Sequence, residues 1–499
     1  MRLFLEKQNF SIPKYEMYNH KNFGFFFKEL QSLKGPVALD LETSGLDPFH
    51  PNAYIRSISL CSDIGYCFAI DLNGLPAHIK DRLWTWLESY EPGFIMHNAV
   101  FDATWCQIHG KKVKVHRCSS VMFRNTSNEG FIGQKWELKL AMEEVLGWKE
   151  ANTRLLDEWL SQQKLSKGDM HLSPWHILGP YNALDAGATY QLYRYITDLC
   201  QAAGHSELES YWNNDINAMI EVLTEQYIHG LHVDLELLDK SLTELNQEVE
   251  TNKNRFLDQE AIKPHIEDFN TTIIQELIEK TPAQLLKDGK TVSTRWLAHN
   301  AKIEELSKVN QFNVNSGKHL HWLFFEKLKK VPVRFVEHKK NGRKIKTNKP
   351  AIDKKALPLL GEETRPLLDY RKSRGVLEDL QSINSVQENG IIHPFLTVSG
   401  TVTGRLSGGL QGDGGKRFNI QNIVNDKRVY GCLAAPKGWK IIYMDFSSLE
   451  PHVLCEFSKD ARLRALYLEA EYSVEELEEH CKKNNIKYEI INGEFKIYD

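Results

Sequence analysis

The chain has 499 residues, 41% of them hydrophobic and 26% charged, and a net charge of -4 at pH 7. This composition excludes a disordered or fibrous protein for most of the chain, and the length predicts about three domains at roughly 150 residues each. No segment has the ~18 consecutive apolar residues that a membrane span needs, and the amino terminus lacks the apolar core of a signal peptide. The eight cysteines include no Cys-x-x-Cys pair, which argues against a zinc site or a disulfide framework and favours the reducing cytoplasm.

Strand and helix patterns alternate over residues 1–200 and predict an α/β domain with a mixed sheet. Residues 35–45 and 94–100 are predicted to be apolar strands, and residues 54–71 are predicted to form a hairpin. A further helix is predicted to follow Pro180.

Acidic residues lie at the ends of these predicted elements. Asp40 and Glu42 are two residues apart on the first strand, so their side chains point to the same face. Adjacent carboxylates repel each other unless a cation lies between them, and oxygen ligands suit Mg²⁺ or Mn²⁺. Asp102 follows the second strand, and Tyr181 and Asp185 are one turn apart on the predicted helix. Together the four carboxylates could hold two metal ions for phosphoryl displacement, while Tyr181 orients or deprotonates the attacking water.

Each of these motifs alone is common in proteins where it has only a structural role. The combination is more specific, because Asp-x-Glu, Asn-x-x-x-Asp and Tyr-x-x-x-Asp follow one another in an α/β domain. The same chemistry serves DNA and RNA, so these motifs leave the substrate open.

Residues 200 to about 330 are predicted to be mostly helical from their hydrophobic period, and a basic segment follows. Residues 327–355 hold twelve Lys and Arg but only two acids, Glu337 and Asp353, and a hairpin is predicted around Asn341-Gly342. Such a run is often only a solvated face, but its density favours contact with phosphates. The predicted phosphate-binding residues are Lys339, Lys340, Arg343 and Lys344.

Three sequence stretches, DLETSGL, HNAVFD and YNALD, resemble the motifs of proofreading 3′-5′ exonucleases that have a Tyr in the third motif. The resemblance implies that Asp40, Glu42, Asp102 and Asp185 bind the metal ions, with Tyr181 on the water. It also implies that Leu46 lies near the terminal base and that Asn98 and Phe101 support the 3′ nucleotide. Residues 135–148 resemble the family's helix between the second and third motifs.

The second half of the chain resembles the thumb and palm of DNA polymerase I family (family A) enzymes. The matching stretches are FNVNSGKHLHWLFFEKL, LLDYRKSRGVLEDL, GTVTGRLS with RFNIQNI, and GWKIIYMDFSSLEPHVLCEFSKD. The resemblance implies that Asp445 is a palm carboxylate that binds catalytic Mg²⁺ and that Glu450 excludes a ribose 2′-OH. It also implies that Arg405, with Gln421 and Asn422 beside it, reaches the minor groove of a primer–template duplex. Residues 441–450 are predicted to be a buried strand that ends in an acid.

The predicted fold is therefore a ribonuclease H-like α/β exonuclease domain followed by a mainly helical thumb and an incomplete α+β palm. The predicted domains are the exonuclease at 1–200, the thumb with its basic hairpin at 201–398, a partial palm at 399–468, and an acidic helix with a hairpin tail at 469–499. The chain is expected to stop before the fingers and the second palm carboxylate, and no 5′-nuclease domain is expected before the exonuclease domain.

These features predict two-metal 3′-5′ hydrolysis of DNA ends to 5′-mononucleotides in replication or repair. Synthesis would need a second chain with the fingers and the remaining palm. The expected partners are single-stranded 3′ ends and primer–template duplexes, in the cytoplasm of a bacterium or a phage-infected host. Two alternatives are a non-catalytic primer–template binding subunit of a split polymerase and a 3′-5′ RNA exonuclease.

Overall fold

A computed structural model describes residues 5–126, 137–148, 153–279, 311–340, 343–398, 401, 404–408, 419–467, 473–483, 487–491 and 494–498. The chain divides into two compact units, Met1–Ala434 and Ala435–Asp499. Each unit is described by itself.

A six-stranded mixed sheet organises the first part of the larger unit. Its strands are Lys14–Tyr18 (β1), Val37–Thr43 (β2), Ile55–Asp63 (β3), Tyr66–Asp71 (β4), Phe94–Met96 (β5) and Val115–Cys118 (β6). The strand order is β1-β4-β3-β2-β5-β6. β2 and β4 pair antiparallel with β3, whereas β1 pairs parallel with β4, and β5 pairs parallel with β2 and β6. Since β2 is central and covered on both faces, six of its seven residues are buried.

In the described part of this region, seven helices accompany the sheet. They are Phe23–Ser32 (α1), Ala77–Ser89 (α2), Ala99–His109 (α3), Ser119–Thr126 (α4), Leu138–Glu144 (α5), Arg154–Gln163 (α6) and Trp175–Ala203 (α7), with a 3₁₀ turn at Lys167–Leu172. The longest, α7, packs across β2, β3 and β4. It therefore lies directly over the strand that carries Asp40 and Glu42.

Two sequence predictions for this region need correction. The strand predicted at 94–100 ends at Met96, because Asn98 adopts a left-handed conformation that turns the chain into α3. The helix predicted to follow Pro180 begins earlier, at Trp175, and includes Pro180. Pro180 lacks a backbone N–H, so the helix loses one intrahelical hydrogen bond at this position. The predicted hairpin is confirmed as β3 and β4.

Helices also dominate the rest of the larger unit. They are Ser206–Tyr211 (α8), Asn217–His229 (α9), Leu235–Leu257 (α10), Lys263–Glu279 (α11), Gly317–His321 (α12), Leu357–Leu360 (α13), Arg365–Val386 (α14) and Lys427–Cys432 (α15). π-Helical turns occupy Trp212–Ile216 and Trp322–Lys327, and 3₁₀ turns occupy Glu362–Thr364 and Ile420–Asn422. The long helices α10 and α14 pack against each other and share two apolar cores with their neighbours.

Short strands complete this unit. They are Leu231–Val233 (β7), Phe335–Lys340 (β8), Arg343–Pro350 (β9), Ile391–Ile392 (β10), Leu396–Thr397 (β11), Ser407–Gly408 (β12) and Leu433–Ala434 (β13). β7 pairs with β10 and β13, β11 pairs with β12, and β8 and β9 form the basic hairpin that the sequence predicted.

The smaller unit contains Leu449–Ser458 (α16), Ala461–Tyr467 (α17), Val474–Lys483 (α18), Lys487–Ile491 (β14) and Glu494–Tyr498 (β15). His452 of α16 lies 2.6 Å from the carbonyl oxygen of Tyr467 and joins the first two helices. The acidic helix and the final hairpin are confirmed. The buried strand predicted at 441–450 is wrong, because residues 441–446 form no strand and Ile442 and Met444 are 79% and 86% exposed.

All eight cysteines are buried and free. Within the described ranges, no helix combines the length and the apolar composition that crossing a bilayer requires. The predicted architecture, an α/β domain with a mixed sheet followed by a mainly helical region, is confirmed. The domain boundaries drawn from the sequence stay predictions.

Candidate active site

The central strand β2 presents two carboxylates to one face of the sheet. Asp40 pairs with Ser59 of β3 and Glu42 pairs with Ser57, so both acids project from the same side of the sheet. The ladder shifts register between Glu42 and Thr43, which ends the regular strand just after the second acid. Glu42 is only 5% exposed and Asp40 is half-buried.

Asp102 reaches this face through a tight strand-to-helix turn. Asn98 has φ 71° and ψ 54°, a left-handed conformation that Asn tolerates better than most residues. The turn starts α3 immediately after β5 and brings Asp102, in the first helical turn, beneath β2. The Leu41 backbone is close enough to the Asp102 carboxylate to oppose the rise in its pKa. The second motif thus lies beside the strand that carries the first.

Helix α7 supplies the third part of the site. Asp185 is buried, and Tyr181 lies one turn before it on the same helix. The neighbouring Asn182 is fully buried and donates from Nδ2 to Asp40 Oδ2 at 2.8 Å. Its Oδ1 accepts from the Ser57 hydroxyl at 3.0 Å. Asn182 therefore fixes the Asp40 carboxylate relative to both the helix and the sheet.

Three of these carboxylates converge closely. Asp40, Glu42 and Asp185 each offer an oxygen, and the three oxygens lie within 4.8 Å of one another. Asp102 lies outside this group, but it is close enough for its charge to raise the pKa of Glu42. The structure thus brings together all four acids that the sequence singled out.

Burial and mutual repulsion dominate the electrostatics of the cluster. Burial, followed by the charge of Asp185, holds the pKa of Asp40 well above its ordinary value. Burial and the charge of Asp40 do the same to the pKa values of Glu42 and Asp102. Burial and the charge of Asp185 raise the pKa of the Tyr181 phenol. These groups therefore resist ionisation unless a cation compensates them.

One cation from the chain itself enters the cluster. Lys139 of α5 forms an ion pair with Asp185, and its ammonium lies 4.1 Å from the centre of the Tyr181 ring. Its charge opposes the pKa rise of both Asp40 and Glu42. Sequence analysis missed Lys139 and Asn182, although both lie in segments that carried the resemblance. Only the docking of α5 and α7 onto the sheet reveals their roles.

The donor set fits a divalent cation. Hard divalent ions prefer oxygen ligands, and here three carboxylate oxygens lie close enough to contact one ion. Such an ion would also compensate the negative charges that these buried groups otherwise resist. The cluster is therefore suited to divalent metal binding.

The residues expected to contact the 3′ nucleotide differ in how exposed they are. Leu46 lies on the loop after β2 and is 40% exposed, available to a ligand. Asn98 and Phe101 are half-buried, and the Phe101 N–H donates to the Asn98 carbonyl at 2.9 Å. Both residues stand at the turn that carries Asp102.

The expected minor-groove residues lie near one another in the larger unit. Arg405 is exposed, and its carbonyl accepts a hydrogen bond from the Thr401 hydroxyl at 2.9 Å. Gln421 Nε2 donates to the Leu406 carbonyl at 3.2 Å, which ties the 3₁₀ turn containing Gln421 and Asn422 to the chain beside Arg405. All three side chains belong to exposed residues.

The predicted phosphate-binding residues lie on the β8–β9 hairpin, where Lys339 pairs with Lys344 and Lys340 with Arg343. Their side chains lie outside the described residues. In the smaller unit, Asp445 is exposed and accepts from the Tyr443 hydroxyl at 3.4 Å. Glu450 occupies the first turn of α16 and is also exposed.

Comparison with known families assigns both halves of the chain. A 3′-5′ exonuclease model matches residues 18–201, and a DNA polymerase family A model matches residues 283–474. The chain thus contains one region that matches a 3′-5′ exonuclease and one that matches DNA polymerase family A. Its four clustered acids all fall within the match to the 3′-5′ exonuclease domain.

Curated relatives include phage DNA polymerases. The DNA polymerase of Bacillus phage SP01 is 23% identical over 85% of this chain, and that of Escherichia phage T5 is 21% identical over 87%. The alignments cover 48% and 46% of those two proteins, so this chain spans about half the length of the curated relatives it matches.

A solved structure shares the fold. The POL domain of Pol1 from M. smegmatis, in complex with DNA primer-template and dNTP, matches with a TM-score of 0.54 and 16% identity. The match covers 95% of this chain and 70% of that chain. At this level of identity, the likeness concerns the fold.

Proposed function

We propose that this chain is a 3′-5′ DNA exonuclease that releases 5′-mononucleotides during DNA replication or repair. The observation that carries the proposal is the convergence of carboxylate oxygens from Asp40, Glu42 and Asp185 within 4.8 Å. The match of residues 18–201 to a 3′-5′ exonuclease domain supports it. Asp102 and Tyr181 complete the proposed catalytic set.

The proposed cofactor is a pair of Mg²⁺ or Mn²⁺ ions held by Asp40, Glu42, Asp102 and Asp185. When bound, two such ions lower the pKa of a water molecule and stabilise the attacking and leaving oxygens of the phosphodiester. Carboxylate oxygen donors favour these ions over softer metals.

The chain's own residues orient the reactants. The raised pKa of Tyr181 keeps its phenol protonated, so its hydroxyl orients the attacking water rather than deprotonating it. Asn182 orients the Asp40 carboxylate through its 2.8 Å hydrogen bond. Because the carboxylate is already ordered, it loses less conformational freedom when it binds a metal ion. Lys139 supplies positive charge beside Asp185 and Tyr181.

The proposed substrate is a single-stranded DNA 3′ end. Leu46 contacts the terminal base, and Asn98 and Phe101 support the 3′ nucleotide. Their positions beside Glu42 and Asp102 in the chain, and the exposure of Leu46, support these roles.

A primer–template duplex is the second proposed ligand. Exposed Arg405 lies on a glycine-rich segment and, with Gln421 and Asn422, can approach the minor-groove acceptors that every base pair presents. The β8–β9 hairpin, with Lys339, Lys340, Arg343 and Lys344, contacts the phosphate backbone. The charge density of residues 327–355 supports this contact, which should weaken steeply with salt.

Nucleotide addition is proposed to involve a second chain. Asp445 would bind catalytic Mg²⁺ and Glu450 would exclude a 2′-OH, but two-metal synthesis requires a second palm carboxylate. The exposed apolar side chains of Ile442, Met444 and Phe446 support docking of a second chain that carries the fingers and the remaining palm. The phage relatives support action in the cytoplasm of a bacterium or an infected host.

The test is hydrolysis of 5′-labelled single-stranded DNA by the purified chain in the presence of Mg²⁺. We expect stepwise shortening from the 3′ end, abolished by EDTA and by the Asp40→Ala/Glu42→Ala double variant. The control is Asp81→Ala/Glu88→Ala, which removes two exposed acids from α2.

The same assay distinguishes the alternatives. An RNA oligonucleotide of equal sequence should be degraded more slowly than DNA, and faster degradation of RNA would favour an RNA exonuclease. Duplex binding without any hydrolysis would favour a non-catalytic primer–template subunit.

A further inference from the structure

The loop after β2 is held by two different parts of the molecule. Its ends are tied together because the Ser44 N–H donates to the Tyr54 carbonyl at 3.0 Å and the Tyr54 N–H donates to the Ser44 hydroxyl at 2.8 Å. In the middle of the loop, the Pro48 carbonyl accepts from His109 of α3 at 2.8 Å. The exonuclease domain thus fixes the loop up to Pro48.

The next residue, Phe49, contacts the helical region that follows the exonuclease domain. Phe49 stacks on the His393 imidazole with ring centres 3.6 Å apart and planes 16° from parallel. The Phe49 and Tyr227 rings also form an edge-to-face pair, with their centres 5.2 Å apart. Tyr227 belongs to α9, and His393 follows β10, so both partners lie beyond residue 201. We name Phe49, Tyr227 and His393 the aromatic latch.

The far side of the aromatic latch is rigid. His393 Nδ1 donates to the Tyr227 carbonyl at 2.7 Å, which sets the plane of the imidazole. Tyr227 is 5% exposed and packs edge-on against the buried Phe395. Gly230 adopts φ 65°, and a Cβ there would come within 2.6 Å of Ile391. The segment that carries His393 is therefore closely packed against the end of α9.

That segment continues directly to the proposed duplex contact. Three residues after His393 the chain enters β11, which pairs with β12 just beyond Arg405. The aromatic latch therefore connects the loop that carries Leu46 with the segment that leads to Arg405. In the proposed function, a paired 3′ end passes from the duplex contact at Arg405 to the exonuclease site near Leu46.

We infer that the aromatic latch is a positioning device that holds Leu46 at a fixed place relative to the bound duplex and so promotes separation of paired 3′ ends. Phe49 is a positioning residue, because it acts through Leu46 and does not itself touch the reacting atoms. The inference rests on the proposed exonuclease function. It predicts that the aromatic latch matters for paired ends and not for single strands.

The experiment compares one 3′-labelled sequence as a single strand and annealed to a template. Phe49→Ala is expected to slow hydrolysis of the paired end about tenfold while changing the single-strand rate less than twofold. Phe49→Leu, which retains apolar volume and favours folding, should behave like Phe49→Ala. Phe49→Tyr retains the stacked ring and should behave like the wild type, as should Phe25→Ala, which removes a 60% exposed ring from α1.

A second readout does not depend on hydrolysis. 2-Aminopurine at the 3′ terminus of the primer brightens when the terminal pair opens, and in EDTA the wild type should increase this fluorescence more than Phe49→Leu does. Equal losses on both DNA substrates, or equal fluorescence in wild type and Phe49→Leu, would overturn the inference. Absence of single-strand hydrolysis in the wild type would instead overturn the proposed function, while the fluorescence would still decide the role of the aromatic latch.

Discussion

Asp40 and Asp445 differ in how much regular structure surrounds them. Asp40 is on the central strand of a six-stranded sheet, where Asn182 fixes its carboxylate and two other acids meet it. Among the described residues, the segment that contains Asp445 pairs with no strand, and its neighbouring side chains are mostly exposed. Both residues follow apolar runs that resemble family motifs, but only the first has a formed scaffold around it. A catalytic motif becomes a site only when neighbouring elements hold its side chains in place.

The largest expected effect comes from neutralising one acid of the formed site. Asp185→Asn should slow single-strand hydrolysis about 1,000-fold, or about 4 kcal/mol in activation free energy, because one of the three convergent ligand charges is lost. The matched change in the smaller unit, Glu456→Gln, removes an exposed charge and should leave the rate unchanged. A similar rate in both variants, measured by single-turnover hydrolysis, would contradict the assignment of Asp185.

A second contrast concerns stability. Leu39 is fully buried beside Asp40, so Leu39→Ala should lower the free energy of unfolding by about 2–5 kcal/mol. Met444 is 86% exposed, so Met444→Ala should change it by less than about 0.5 kcal/mol. Urea unfolding followed by tryptophan fluorescence measures both changes. Comparable losses would show that residues 441–446 are packed after all.

Lys139 offers a smaller effect on metal affinity. Lys139→Met removes the cation that competes for Asp185, so Mn²⁺ should bind about tenfold more tightly, a difference of about 1.4 kcal/mol. Hydrolysis should nevertheless slow, since positive charge beside Tyr181 is lost. Isothermal titration calorimetry gives the affinity, with Lys111→Met, which breaks a surface ion pair with Glu88, as the control. Unchanged or weaker Mn²⁺ binding would exclude this role.

The smallest expected effect is a pH dependence of the metal-free protein. The pKa values of Asp40, Glu42 and Asp102 are raised in the folded chain, so the folded state retains protons that the unfolded state releases above about pH 4. The stabilising contribution is complete below that pH and is lost as pH rises through the higher folded pKa values. In EDTA, the unfolding temperature should therefore fall by a few degrees from pH 5 to pH 8.

Mg²⁺ should reverse this trend, because it binds the ionised carboxylates. The temperature difference between Mg²⁺ and EDTA should thus grow with pH, and it should vanish in Asp40→Asn/Glu42→Gln. A difference independent of pH would argue against metal binding by these acids.

The local sequence pattern predicted those features of the site that are set within a single strand or helix. The spacing of Asp40 and Glu42 on a strand, and of Tyr181 and Asp185 on a helix, fixes which side chains share a face. The contributions of Lys139 and Phe49 depend on how separate elements dock, which no local period encodes.

At residues 441–446, by contrast, the sequence predicted a structure that the chain does not form. Their apolar run predicted a buried strand, yet burial requires neighbouring strands, and the described residues supply none for this segment. Hydrophobic pattern indicates what a segment could bury, and the available partners decide whether it does so.

The central claim is that Asp40, Glu42, Asp102 and Asp185 bind metal ions together. The most direct test is an anomalous difference map from crystals of the chain grown with Mn²⁺. The account predicts peaks at coordination distance from the carboxylates of Asp40, Glu42 and Asp185, absent in Asp185→Asn crystals. A wild-type map without a peak between these carboxylates at saturating Mn²⁺ would contradict it.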